Sequence, residues 1–99
     1  MTASQKRPNS GAKRIITIGR GSKNDIVLDE PNVSTQHARL ILEDGRIILE
    51  DLGSTNGTAV ERVENKISRV EIESDATVYL GSSPYPVATW IGPSESRSI

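Results

Sequence analysis

Between Gly19 and Thr58 the apolar residues fall in short strand-like runs, and the polar residues between them collect into three islands. The first is Gly19-Arg20 with Asn24-Asp25 just downstream. The second is Val33-Ser34-Thr35-Gln36-His37-Ala38, and the third is Asp51-Leu52-Gly53-Ser54-Thr55-Asn56-Gly57-Thr58. This punctuation leaves no clean helical stripe over about ten residues or more, and no capping box stands ahead of one. The chain has no Phe, one Trp and two Tyr, so its core has to come from Ile, Val and Leu. Of these, the β-branched Ile and Val suit a pleated, half-buried surface better than a helix interior. The expected class is all-β, a sandwich of two antiparallel sheets with its loops gathered at one end.

Strands are expected at Arg14–Ile18, Ile26–Leu28, His37–Leu42, Ile47–Leu49, Val60–Val63, Arg69–Ile72, Thr77–Leu80 and Val87–Ile91. In the third, Ala38, Leu40 and Leu42 share one face, against Arg39 and Ile41 on the other. Asp44-Gly45 between apolar runs is a two-residue hairpin signal. Pro84 and Pro86 cannot donate to a central ladder, so that stretch is expected at an edge or in a loop. A chain of 99 residues makes one domain. Residues 1–13 and 92–99 are polar and read as a disordered basic arm and a linker-like tail around a folded part at 14–91, joined to a larger polypeptide.

With no cysteine there is no disulfide, thiolate zinc site or thiol nucleophile, and one histidine cannot form a His-based metal cluster. The N-terminus lacks a signal-like apolar run, and no stretch approaches the ~20 apolar residues of a membrane span. A soluble cytoplasmic setting without membrane contact is expected. The net charge of −1 hides an asymmetry: residues 1–14 carry Lys6, Arg7, Lys13 and Arg14 and no acid, which leaves −5 for the rest. Nucleic acid is a poor partner for such a body, because that affinity comes largely from neutralised phosphates. An anion has to be caught by a local cluster, with positive field near Arg20, Lys23 and Arg39.

Strands bury their side chains, so the three islands belong to loops, and an Arg, a Ser and a Thr-Asn pair on neighbouring loops make a set of anion donors. Arg20 reads either as a phosphate fork or as a surface cation paired with Asp25 or Glu30. Ser34 and His37 could be read as nucleophile and base, with Asp25 or Asp51 as orienter, but three residues apart on a strand they would face opposite sides. Ser54 stands second, not third, in Gly53-Ser54-Thr55-Asn56-Gly57, which is no nucleophile elbow. Gly19-Arg20-Gly21 lacks the third glycine and the helix of a dinucleotide fingerprint. Thr55-Asn56-Gly57 reads as a turn that can also offer the Asn56 amide to a ligand.

Gly19-Arg20, Ser34-x-x-His37 and Asn56-Gly57-Thr58, in this order and with strands between them, resemble the forkhead-associated (FHA) domain family over about residues 14–91. The resemblance implies a non-enzymatic, cofactor-free module that binds a phosphothreonine-containing protein or peptide in signalling; the run Asn24-Asp25-Ile26-Val27-Leu28-Asp29 and the lack of Cys and Phe point to a bacterial protein. It implies that Arg20 and Ser34 hold phosphate oxygens, with help from Thr35 or, through the field, from Lys23. Asn56 would hold the ligand main chain, and Thr55 would support the phosphate or the threonine methyl group. Gly19, His37 and Gly57 would support the loops. Thr35 stands where the family commonly has a basic residue or Asn, and the charged run Ala59–Lys66 replaces its usual Val-Asn-Gly turn. An FHA fold that binds a partner without phosphate is the alternative.

Overall fold

A computed structural model of the chain describes residues 13–91. The expected arm and tail lie outside the described residues, except Lys13, which opens the first strand. Among the described residues, nine strands and one short helix follow in order. They are β1 (Lys13–Gly19), β2 (Ile26–Val27), β3 (Ala38–Glu43), β4 (Arg46–Asp51), β5 (Thr58–Val60), β6 (Lys66–Ile67), β7 (Arg69–Ile72), β8 (Thr77–Leu80), β9 (Ser83–Pro86) and α1 (Val87–Ile91).

The strands form two sheets, one ordered β2-β1-β3-β4-β7 and the other β9-β8-β5-β6. Every pairing is antiparallel except β1 with β2, where Ile18 and Gly19 run beside Ile26 and Val27. In the larger sheet Ile16, Leu40 and Leu49 stand opposite one another in register. They pack with Ile18, Ala38, Val78, Leu80 and Val87 into one buried cluster. A core of aliphatic side chains is what a chain without Phe has to build, and close interdigitation of such residues is the main favourable term for a domain this small.

Alternation along β3 is as the sequence predicts. Ile41 nonetheless lies buried on the outer face, in register between Ile15 and Ile48. Arg39 on that same face bonds Glu50 at 2.7 Å through Nε, and Arg69 lies 3.6 Å from the other Glu50 oxygen. The Arg39 hydrogen bond holds the Glu50 carboxyl below the usual carboxylate range, against a smaller opposing effect of desolvation. Arg39 therefore serves the sheet and contributes no cation to the loop end. Asp44 and Gly45 both take positive φ, 55° and 76°, which is the two-residue turn that Asp-Gly signals.

Two expected strands need correction. The strand expected at Val60–Val63 is Thr58–Val60, because Glu61 turns left-handed at φ 67° and Asn65 N–H closes a turn onto the Arg62 carbonyl. The charged run that follows ends in β6, an edge strand that the sequence reading did not foresee. Val87–Ile91 is a helical turn, not a strand: Val87 and Ile91, four apart, face the core together, and Trp90 stacks on Tyr85 with ring centroids 5.7 Å apart. The proline-bearing stretch Ser83–Pro86 is an edge strand, as the missing N–H groups require.

Candidate functional site

The three polar islands meet at one end of the sandwich. The β1–β2 loop is stitched to the β2–β3 loop by main-chain bonds, Arg20 N–H to Ser34 C=O at 2.9 Å and Gly21 N–H to Thr35 C=O at 3.1 Å. Asn24 Nδ2 reinforces the seam by donating to the Gly21 and Thr35 carbonyls at 2.9 and 2.7 Å. Gly19 sits where the strands enter this seam. A Cβ there would collide with the Thr35 carbonyl oxygen, so the close approach requires glycine.

His37 ties the second island to the third. Its ring is fully buried, Nδ1 accepts from Ser34 N–H at 3.0 Å, and Nε2 lies 2.9 Å from the Gly57 carbonyl. A ring nitrogen that accepts from a backbone N–H carries no proton, so the neutral Nε2–H tautomer satisfies both bonds. The Ser34 hydroxyl is turned elsewhere: Oγ accepts from Thr55 N–H at 3.0 Å. Ser34 and His37 are thus joined through the serine backbone, and the hydroxyl-to-imidazole contact of a nucleophile and its base is not made.

The third island is organised by a residue that the sequence reading considered only as an orienter for catalysis. Asp51 Oδ1 accepts from the Ser54 hydroxyl at 2.5 Å and the Thr58 hydroxyl at 2.6 Å, while Oδ2 accepts from Gly53 N–H at 2.9 Å and Ser54 N–H at 3.1 Å. Ser54 Oγ in turn accepts from Gly57 N–H at 2.9 Å. Desolvation pushes the Asp51 carboxyl up, but the Ser54, Thr58 and backbone hydrogen bonds together outweigh it and hold the group below its usual value. The signal was present in Asp51-x-x-Ser54, an aspartate followed by a residue whose N–H and hydroxyl can both return to it.

A group whose folded pKa is depressed stabilises the fold above its unfolded pKa and loses that contribution as pH falls through the folded value. Asp51→Asn offers one acceptor atom where four donors need two. It is expected to cost about 2 kcal/mol at neutral pH. Because the variant lacks the titrating carboxyl, its melting temperature should fall less steeply than wild type as pH drops below about 4. Thermal scans across that range check it; parallel pH profiles would remove Asp51 from the acid-sensitive set.

Arg20, Ser34, Thr35, Thr55 and Asn56 line a single cleft of about 410 Å³, with Pro31, Val33, Gln36 and Gly53 completing its wall. The Arg20 guanidinium has no hydrogen-bond or ion-pair partner among the described residues, and neither Asp25 nor Glu30 pairs with it. Asp25 is instead bonded to the Thr17 backbone N–H at 2.9 Å. Asn56 Nδ2 donates to the Asn32 carbonyl at 3.0 Å, leaving its own carbonyl oxygen without a donor among those residues. Lys23 is not part of the cleft wall. A second hollow of about 310 Å³ adjoins at Asn56, lined also by Asn32, Val63, Lys66, Gly81 and Ser82. Gly57, at φ 89°, has the Lys66 side chain laid across it, so that β6 brings a cation beside Asn56. No group of three potential metal ligands occurs among the described residues.

A two-sheet sandwich with an arginine unpaired among the described residues, a serine hydroxyl and an asparagine amide around one loop-end cleft has the form of a loop-end binding domain. The FHA domain family profile matches residues 16–81, and the chain belongs to that family. It is 39% identical over 67 residues to the oxoglutarate dehydrogenase inhibitor of Corynebacterium diphtheriae, a match covering 63% of this chain and 47% of that protein. The chain thus spans less than half the length of this relative. The FHA domain of the CT664 protein from Chlamydia trachomatis superposes with a TM-score of 0.66 at 34% identity, covering 72% of this chain and 71% of that one. The N-terminal FHA domain of S. cerevisiae Rad53p, solved in complex with a phosphothreonine peptide, superposes with a TM-score of 0.57 at 28% identity, covering 66% and 54%.

Proposed function

We propose that this domain binds phosphothreonine-containing segments of partner proteins in the bacterial cytoplasm, as a non-catalytic, phosphorylation-switched module in signalling. The observation that carries it is the Arg20 guanidinium, exposed and without an anion partner among the described residues, lining the same cleft as Ser34. A phosphothreonine brings about −1.5 to −2 charges and three acceptor oxygens. Arg20 forks two of them, Ser34 and Thr35 offer hydroxyls, and Asn56 exchanges its bond to Asn32 for the ligand main chain. Two or three charge-assisted bonds at ~1.5–3 kcal/mol each supply most of a micromolar affinity near −8 kcal/mol. The complex of the Rad53p domain supports the ligand class. The Ser34 hydroxyl, engaged with Thr55 and not with His37, supports a binding role over hydrolysis.

Calorimetry with matched phosphothreonine, phosphoserine and unphosphorylated peptides tests the proposal. The threonine methyl, worth ~0.8 kcal/mol by burial and up to ~3 kcal/mol in a shaped pocket, should give phosphothreonine about a tenfold or larger preference over phosphoserine. Equal affinity for the unphosphorylated peptide would establish the phosphate-independent alternative instead.

The second hollow adds a local selectivity that the acidic charge of the body alone would oppose. The body is acidic, yet Lys66 has no ion-pair partner among the described residues and stands beside Asn56, through which the ligand strand has to pass. A phosphopeptide carrying one acidic residue positioned to enter this hollow should bind a few-fold tighter than its neutral counterpart, most clearly at low salt. Lys66→Glu should reverse that order. An acid scan along the peptide at two ionic strengths reads the effect, and a flat scan removes Lys66 from the selectivity surface.

A further inference from the structure

The turn that presents Asn56 is also a chemically labile linkage. Asparagine followed by glycine is the dipeptide most open to succinimide formation, because glycine places no side chain in the way when its backbone nitrogen attacks the asparagine carboxamide. Asn56 is exposed to water, so nothing in the solvent environment protects it. The protection present is a pair of hydrogen bonds on the two reacting groups. Gly57 N–H, the nucleophile's proton, is donated to Ser54 Oγ at 2.9 Å, and that hydroxyl is fixed by its 2.5 Å bond to Asp51. Asn56 Nδ2, the leaving nitrogen, is held on the Asn32 carbonyl at 3.0 Å. Beyond the turn, the Gly57 carbonyl accepts from both His37 Nε2 and Gly81 N–H, each at 2.9 Å, so the following peptide unit cannot swing to help the attack.

We propose that Asn56–Gly57 is a deamidation site which the fold guards through Ser54 and Asn32, and that its conversion switches the binding cleft off. In the step itself, Gly57 N gives its proton to water and bonds to Asn56 Cγ, Nδ2 takes a proton from water as the Cγ–Nδ2 bond breaks, and ammonia leaves. Water then opens the ring at either carbonyl. One opening yields aspartate at position 56; the other yields an isoaspartyl linkage in which the chain runs through the former side chain. Both place a carboxylate where an amide had met the ligand, and a phosphate arriving at Arg20 and Ser34 is then repelled across the width of the cleft. The isoaspartyl product also lengthens the turn and breaks the Ser54 and His37 bonds that set it. The chemistry stands independently of what the cleft binds; only the loss of binding rests on the function proposed above.

Peptide mass mapping and isoaspartyl detection at Asn56, after incubation at mildly alkaline pH, test the guard. The native protein is expected to convert about tenfold or more slowly than the same protein held unfolded in denaturant, as protection by closed hydrogen bonds requires. Ser54→Ala, confirmed folded by circular dichroism, should convert several-fold faster than wild type. Equal rates for native and unfolded protein, or a folded Ser54→Ala that converts at the wild-type rate, would overturn it. If Ser54→Ala does not fold, the native-against-denaturant comparison decides alone. For the switch, Asn56→Asp should keep its circular dichroism spectrum and lose about tenfold or more in phosphopeptide affinity, measured beside wild type as the positive control. Undiminished binding by Asn56→Asp while wild type binds would overturn the switch and leave the function standing; failure of wild type to bind at all would count against the function.

Discussion

Arg20→Ala is expected to weaken phosphothreonine-peptide binding about a hundredfold and to leave the melting temperature within a few degrees of wild type. The asymmetry follows from where the residue sits. Its side chain is exposed on the β1–β2 loop and bonds nothing among the described residues, so truncation removes no internal contact. Its backbone does hold the seam, through the bond from Arg20 N–H to Ser34 C=O, and alanine keeps that bond. Against phosphate the guanidinium is worth ~2–3 kcal/mol as a charge-assisted, two-point donor. Arg20→Lys keeps the charge but not the fork and should recover only part of the loss. Unchanged affinity in Arg20→Ala would take Arg20 out of the site.

The residues that meet in the cleft were legible because sequence placed them outside the core. Arg20, Ser34, Thr35, Thr55 and Asn56 interrupt apolar runs, and in a sandwich of short strands such interruptions can only be loops. Hairpin chemistry was equally local: Asp44-Gly45 requires no tertiary information to turn the chain. What escaped depends on distant pairing. Five apolar-rich residues at Val87–Ile91 fit a strand or a helical turn, and the choice was made by the Val87 N–H bond to the Ala76 carbonyl, 11 residues back. Lys66 reaches Gly57 only because β6 pairs with β5 in the register Thr58 to Ile67 and Ala59 to Lys66. Asp51 looked like a lone acid after a strand until the loop folded back and delivered four donors to it. In each case the missing information was a contact, and not a residue type.

The largest structural effect is expected at His37. His37→Ala should lower stability by about 3 kcal/mol, enough to move the melting temperature by more than about 10 °C in a domain of this size, and should abolish measurable phosphopeptide binding. The ring is completely buried, so its removal leaves a void as well as two stranded polar groups, Ser34 N–H and one lone pair of the Gly57 carbonyl. These are the two points from which the cleft is aimed. Ser34 sets the hydroxyl that receives Thr55 N–H, and Gly57 ends the turn that presents Asn56. The binding loss should therefore exceed what the unfolded fraction explains, and working well below the variant's melting temperature separates the two. A variant that melts like wild type yet binds nothing would mean that the imidazole touches the ligand directly. One that is destabilised but binds normally when folded would mean that the loops hold their geometry without it. Loss of binding in a folded but less stable protein is the outcome that a buried imidazole bridging the Ser34 and Asn56 loops requires.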